Sequence, residues 1–247
     1  MKTGLFADIH SNREAFEACL RHAEAVGVDD HFFLGDLVGY GADPSWVLDT
    51  VKAYHEKGSG IILGNHEAAV LNKPELTMQE DARRAAEWTR SQLSDAELQF
   101  LASLSVSVEK KDRLFVHSSA HKPAQWGYVS DVHSAKKSFD ATFCRFTYCG
   151  HLHLPLLFHQ SSTGRVAQFV PVAGVEIPLG AYRRWIVVAG AVGQPRDSNP
   201  AACYVVHDSN RNSLVFHRVP YDVSSAARKI RSSGLPVWLA DRLERGS

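Results

Sequence analysis

The chain has 247 residues, 45% hydrophobic and 22% charged, enough apolar material to bury a core without staples and too much for wholesale disorder. Lys+Arg and Asp+Glu number 27 each, for a formal net charge of +0, and the basic residues are scattered, which leaves no electrostatic footprint for duplex nucleic acid. No apolar run approaches the roughly 18 residues of a spanning helix, and MKTGLFADIHSN is broken at Asp8, so neither a membrane span nor a signal peptide is predicted and a cytoplasmic location is expected.

In chain order, KTGLFAD (2–8) is predicted as a short buried strand centred on Leu5 and Phe6. Ser11 or Asn12 can cap the helix that follows, because Ala15, Phe16, Cys19, Leu20 and Ala23 recur at helical spacing between Arg13 and Val26. HFFLGD (31–36) is a second strand ending in a turn. DPSWVLDTVKAYHEKG (43–58) has Pro44 near its first turn and Gly58 past its end, the asymmetry expected of a helix. GIILGNHE (60–67) is a third strand that stops at Gly64. Strand alternating with helix is the pattern of a parallel sheet with crossover helices. Residues 77–104 are predicted as two polar-faced helices, LSDAEL supplying the cap between them. RLFVHSS (113–119) and FTYCGH (146–151) return to strand character, separated by a loop holding Trp126 and Tyr128 and then a short helix.

From about residue 155, PLLFHQ, RVAQFV, RRWIVVAG, ACYVVHD and SLVFHRV are short strands expected to form a meander or second sheet. Residues 222–243 read as helix, broken in two by Gly234 and Pro236. A second sheet packed on the first gives a layered α/β sandwich, and with no linker or repeat in view residues 1–247 are expected to form one domain. Cys19, Cys144, Cys149 and Cys203 have no C-x-x-C spacing and are expected to be free, mostly buried thiols. Cys149, beside Gly150 and His151, could serve a soft metal, with packing the preferred role.

Five apolar runs end in Asp, Asn or His: GLFA before Asp8 and His10, HFFL before Asp36, GIIL before Asn65 and His66, RLFV before His117, and FTYC before His151 and His153. Ligands of open α/β sheets bind outside the carboxyl ends of the strands, so five such endings would converge. Carboxylate oxygen and imidazole nitrogen suit divalent Zn, Mn, Fe or Ni. Two adjacent cations need a shared anion, and Asp36 has two oxygens with which to bridge. Asn65 supplies a neutral oxygen. In an extended stretch residues i and i+2 share a face, so Asp8 with His10, and His151 with His153, are expected to point at the same metal pair. Each fragment alone has an ordinary alternative, a turn, a helix cap or a histidine bonded to backbone. The ordered set is what exceeds chance.

D-x-H, G-D, G-N-H-E, H and G-H-x-H in this order resemble the calcineurin-like metallophosphoesterase superfamily. DIHSN, GDLVGYGADP and GAVGQPRD with a following YVVHD are similar to a subfamily of small bacterial phosphoesterases. The resemblance implies a sandwich of two mixed β-sheets flanked by helices. It implies one metal held by Asp8, His10, Asp36 and His153, a second held by Asp36, Asn65, His117 and His151, and a metal-bridging hydroxide as nucleophile. His66 would be catalytic, hydrogen bonding to phosphate and protonating the leaving alkoxide, and Glu67 would support the site or open the next helix.

The chain departs from the G-D-x-V-D-R-G motif of the superfamily's protein phosphatases: Gly39 stands at the second Asp and Tyr40 at the Arg. A phosphodiester or small phosphomonoester, a nucleotide among the candidates, is therefore expected as substrate. A dinucleoside polyphosphate hydrolase, a Ser/Thr phosphatase-like enzyme and a non-catalytic scaffold are the alternatives. VHSS at 117 and Ala191 are further departures. Substrate contacts are sought at Asn12, Arg13, Tyr40 and Arg196, and also at His121, Trp126 and Tyr128, against a helix start, a turn or packing as the ordinary role of each. Asp197 is expected to neutralise Arg196.

Overall fold

The sequence places Leu5 and Phe6 on opposite faces of one strand, and the two faces belong to two different cores. This computed structural model describes residues 1–71 and 80–247. Strands β1 (Lys2–Phe6), β2 (Asp30–Phe33) and β3 (Gly60–Ile61) are parallel, connected through helices α1 (Arg13–Ala25) and α2 (Pro44–Glu56) as the alternating pattern requires. Helices α3 (Asn65–Val70), α4 (Glu80–Gln92) and α5 (Asp95–Ser103) follow. Asn12 caps α1 by accepting from the Ala15 N–H, and Ser94 with Glu97 forms a capping box at α5. Residues 77–79 of the predicted helical stretch lie outside the described residues.

Strands β4 (Ser107–Lys110), β5 (Arg113–Val116) and β6 (Phe146–Cys149), with helix α6 (Val132–Asp140), lead into β7 (Pro155–Gln160), β8 (Val166–Phe169), β9 (Glu176–Pro178), β10 (Arg184–Ala189), β11 (Ala202–Asp208) and β12 (Ser213–Val219). Helices α7 (Val223–Ser232) and α8 (Val237–Arg245) close the chain, separated where Gly234 and Pro236 predicted a break. The two sheets have six strands each, in the orders β3-β2-β1-β11-β12-β9 and β4-β5-β6-β10-β7-β8. Both mix parallel and antiparallel pairs.

The strands after residue 155 do not form a sheet of their own. β7, β8 and β10 join β4–β6, whereas β9, β11 and β12 extend the first sheet through the antiparallel pairing of β1 with β11. Sheet membership depends on pairing between distant segments, which local periodicity does not encode. Two strands carried no apolar run strong enough to be predicted, β4 (SVEK) and the three-residue β9 (EIP).

Leu5, Phe32, Phe115, Tyr148, Val187, Val205 and Phe216 fill the space between the sheets, with Phe32 stacked on Phe115 at 3.7 Å between centroids. Phe6, Phe16, Phe33 and Tyr204 build the outer core beneath α1 and α2, and α6 covers the far face of the second sheet with Phe139. Helices α7 and α8 bury Ala227, Ile230, Leu239 and Leu243 in a fourth cluster, against which Tyr40 packs. The three parallel strands of one sheet and the parallel β5–β6 pair of the other end at the same rim of the sandwich. That rim is where the polar residues collect.

Phe6 is fully buried and stacks on Tyr204 at 4.9 Å, whereas Phe143 is 100% exposed. Phe6→Ala should lower unfolding free energy by about 3–5 kcal/mol, against less than about 0.5 kcal/mol for Phe143→Ser. Urea denaturation of both variants measures the contrast, and equal midpoints would contradict this assignment of the core.

Candidate metal centre

Asp8, His10, Asp36, His117 and His153 are each at most 1–2% exposed, His151 8%, so the rim closes over its polar residues. The loops there continue the β ladder past the strand ends. Asp8 N–H donates to Gly35 O (3.2 Å), His10 N–H to Asp36 O (2.9 Å) and Ser11 N–H to Leu37 O (2.9 Å). The second sheet joins them where His151 N–H donates to Asp8 Oδ2 (2.9 Å), and within that sheet Gly150 N–H continues the β5–β6 pairing by donating to His117 O (2.9 Å). Gly150 allows this approach, since a Cβ there would overlap the Asp8 carboxylate.

The expectation that D-x-H and H-x-H are extended is not met. Asp8, His10, Asp36, His151 and His153 have φ of +54°, +49°, +51°, +66° and +63°. The pairs converge through left-handed turns and not through strand alternation, in the region where Asp, Asn and His are the least disfavoured side chains after glycine.

Two groups of donors result. Asp8, His10, Asp36 and His153 bring their ligand atoms within 4.8 Å of one another, and so do Asp36, His117 and His151. Asp36 belongs to both. His10 Nε2 faces His153 Nε2 at 3.2 Å, and His117 Nε2 faces His151 Nδ1 at 3.2 Å and Asn65 Oδ1 at 3.1 Å. Ligands bonded to one cation at about 2.1 Å stand about 3.0–3.4 Å apart in octahedral or tetrahedral geometry, so these edges have the size of a coordination shell.

The histidines are already in the tautomer a metal requires. His10 Nδ1 donates to Val38 O (3.2 Å), His117 Nδ1 to Leu34 O (2.8 Å), His153 Nδ1 to Gln194 O (2.6 Å) and His151 Nε2 to Trp126 O (2.9 Å). A carbonyl can only accept, so a proton sits on each outer nitrogen, and in the neutral imidazole the inner lone pair faces the cluster. The donor set thus fits divalent metal ions. Cys149 is buried but belongs to neither group, and burial holds its thiol far above the ordinary range.

Glu67 sets the frame. Its carboxylate accepts from Asp36 N–H (2.9 Å), Val38 N–H (3.0 Å) and Gly64 N–H (2.8 Å), while it also occupies the first turn of α3. Both roles expected of Glu67 are therefore filled. His66 N–H donates to Asp36 Oδ1 (2.9 Å), leaving Oδ2 to face His117 Nε2 at 3.2 Å. Burial works to raise the Asp36 pKa, but His117, His66 and His10 outweigh it and hold this carboxyl well below the usual range. Burial, with the Asp36 charge adding to it, pushes Asp8 up to about 8 and Glu67 up to about 7. His117 is raised to about 9 because its pairing with Asp36 overcomes burial, whereas burial and the neighbouring His117 lower His151 to about 3.

His66 lies beside this cluster, Nε2 4.0 Å from Asp36 Oδ2, with its ring 4.3 Å from Tyr40 and 4.7 Å from His10. Its Nδ1 is buried without a hydrogen-bond partner among the described residues. The reason lies at Gly39, which has φ of +88° and packs where a Cβ would overlap that nitrogen.

Tyr40 and Arg196 are at the centre, the guanidinium carbon 5.9 Å from the Tyr40 ring and bonded through Nη2 to Gln194 Oε1 (2.9 Å). Asp197 does not neutralise Arg196. It pairs with Arg218. Asn12 has its amide committed, accepting from Ala15 N–H and donating to Gly193 O (2.8 Å). Arg13 is exposed and stacks on Trp46 at 4.8 Å, and His121 is exposed. Trp126 lies 5.9 Å from the His117 ring, and Tyr128 stacks on His151 at 4.2 Å. Gln194 escaped the sequence reading, because half of its role runs through a backbone carbonyl that any residue could supply.

This sandwich and rim define a metallophosphoesterase fold, and the calcineurin-like phosphoesterase superfamily domain matches residues 1–212, so the chain belongs to that family. It is 31% identical to an uncharacterized protein of Methanocaldococcus jannaschii across 98% of this chain and 97% of the relative. It is also 31% identical to a metallophosphoesterase from Sphaerobacter thermophilus, whose crystal structure superposes with a TM-score of 0.87 over 100% of both chains. A hypothetical protein of Pyrococcus horikoshii shares the fold at 16% identity, with a TM-score of 0.79 over 100% of this chain and 98% of that one.

Protein purified with Mn²⁺ should carry about two metal ions per chain by elemental analysis. Asp36→Asn should deplete both positions and His66→Ala neither. Full metal content in Asp36→Asn would break the shared-ligand assignment.

Proposed function

We propose that residues 1–247 form one dinuclear-metal phosphoesterase domain that hydrolyses a phosphodiester or small phosphomonoester. The observation that carries this reading is the pair of donor clusters joined at Asp36, each histidine held in the ligating tautomer. Asp8, His10, Asp36 and His153 would hold one ion, and Asp36, Asn65, His117 and His151 the other. Oxygen and imidazole donors accept Mn, Fe, Zn or Ni. When bound, the ions acidify water to hydroxide near neutral pH and neutralise charge on the phosphoryl oxygens.

In the reaction a water oxygen bonds to phosphorus, the bond to the leaving oxygen breaks, and that oxygen takes up a proton. His66 is the donor. Burial lowers its affinity for a proton and Asp36 works the other way, so an arriving phosphate anion adds to the effect of Asp36. The Tyr40 ring, packed on both His66 and His10, keeps His66 oriented where Gly39 provides no carboxylate to do so. Gly39 and Tyr40 argue against the protein-phosphatase alternative. The four free buried cysteines suit a reducing compartment, and we place the enzyme in the cytoplasm.

Metal-replete protein should hydrolyse p-nitrophenyl phosphate or its bis-ester, lose activity on chelation and recover it with Mn²⁺. His66→Ala should cut kcat by about 100-fold or more, the scale of general acid catalysis. Failure of the metal-loaded protein to turn over these esters and a panel of nucleotide esters would refute the proposal.

A further inference from the structure

The core between the two sheets reaches two lateral edges of the sandwich, and the chain closes them differently. At one edge stand β3 and β4. There Leu63 N–H donates to Ser105 O (2.8 Å), and the Lys110 ammonium lies over the Phe32 ring at 5.7 Å. β4 also carries Glu109 and Lys110, charges of the kind that keep an exposed strand from pairing with another chain. At the other edge stand β8 and β9, the last strand of each sheet, joined by residues 170–175. Phe169 of β8 lies opposite Leu157 of the inter-sheet core, and Ile177 of β9 packs against the same core.

This second edge turns apolar side chains outward. Val170 and Val172 are each 67% exposed, Val175 51% and Phe169 36%. From Val166 to Val175 the chain has no charged residue. The acid that follows, Glu176, is engaged by Ser213 Oγ (2.7 Å) and by Arg211 (2.9 Å). β8 has a neighbouring strand on one side only, so one row of its backbone N–H and C=O groups has no ladder partner. The four side chains expose on the order of 400 Å², the size of patch that marks an interaction surface. That is about half of what one partner gives to a standard interface. The open backbone of β8, with Gln168 and Ala173, both exposed, adds to it.

We infer that this edge binds a second copy of the chain, β8 pairing antiparallel with β8 of the partner subunit about a two-fold axis. An uncharged strip has nothing with which to select an acidic or basic partner, but it is complementary to itself. Side chains alternate between faces, so a two-fold that keeps each face continuous passes through a residue and not between two. Centred on Gln168, it sets Phe169 against Ala167 of the partner subunit and Val170 against Val166 of the partner subunit, a large side chain beside a small one and two β-branched side chains together. The inter-sheet cores of the two copies then meet across the axis. β8 runs toward the rim that holds the metal ligands, since Phe169 pairs with Leu157 shortly after His153. Antiparallel pairing therefore points the two rims in opposite directions and obstructs neither.

Sedimentation velocity on the full-length protein should give the mass of two chains, with a dissociation constant in the micromolar range or tighter. Val170→Lys combined with Val172→Lys puts like charges across the axis and should weaken the dimer about 100-fold or more. Both side chains face solvent, so circular dichroism of the double variant should match that of the wild type. Hydrogen exchange tests the same edge without a substitution: the amides of residues 166–170 that point away from β7 should be protected at high protein concentration and exchange faster on dilution. A wild-type chain that stays monomeric up to about 100 µM overturns the proposal. So does a dimer that the double variant does not weaken, or one whose β8 amides exchange at the same rate at every concentration, because the contact then lies on another surface.

Discussion

Asp36 is a buried carboxylate with histidines 3.2, 3.7 and 4.0 Å from one oxygen and a backbone N–H on the other. A charge in that position costs several kcal/mol to desolvate and is tolerated only when every neighbour is arranged around it. The arrangement reaches outward in steps. Glu67 holds the backbone of Asp36, Val38 and Gly64, and the Val38 carbonyl in turn holds His10. One acid therefore positions another, and the loops after β2 and β3 are fixed relative to each other by hydrogen bonds to a single side chain, with the loop after β1 tied in through His10. The second sheet joins through the Asp8 carboxylate and the His151 N–H.

The donors of this centre were legible because their chemistry is confined to a few residue types and their places follow apolar runs. Asp8, His10, Asp36, Asn65, His117, His151 and His153 all meet at the rim on that logic. What stayed hidden was carried by groups that sequence does not distinguish. The carbonyls of Leu34, Val38, Trp126 and Gln194, which set the four imidazole tautomers, belong to residues chosen for other reasons. The first three strands and the crossover helices were equally readable from periodicity. The distribution of β7–β12 between two sheets was not, because it is decided by pairing such as Leu5 with Val205, 200 positions apart in sequence.

Replacement of an Asp-Arg pair by Gly39 and Tyr40 alters the surroundings of His66 in a coherent way. An aromatic ring now packs against both His66 and His10, and Gly39 closes against His66 Nδ1 without offering it an acceptor. A positive charge reaches the tyrosine from another element, Arg196, which comes from a turn after β10 and stands 5.9 Å from the Tyr40 ring, while the ring itself packs on the cluster of α7 and α8. The C-terminal helices are thereby brought into the neighbourhood of the centre, although the matched family domain ends at residue 212.

The left-handed backbone at Asp8, His10, Asp36, His151 and His153 gives each of these positions two constraints at once, a donor atom and a conformation costing about 1 kcal/mol or more for an ordinary side chain. Alanine removes both together, so an alanine scan of the centre would report ligand loss mixed with loop relaxation. Asparagine tolerates the same φ and removes the charge or the imidazole alone. The choice of replacement residue therefore decides whether an experiment on this site measures coordination or backbone.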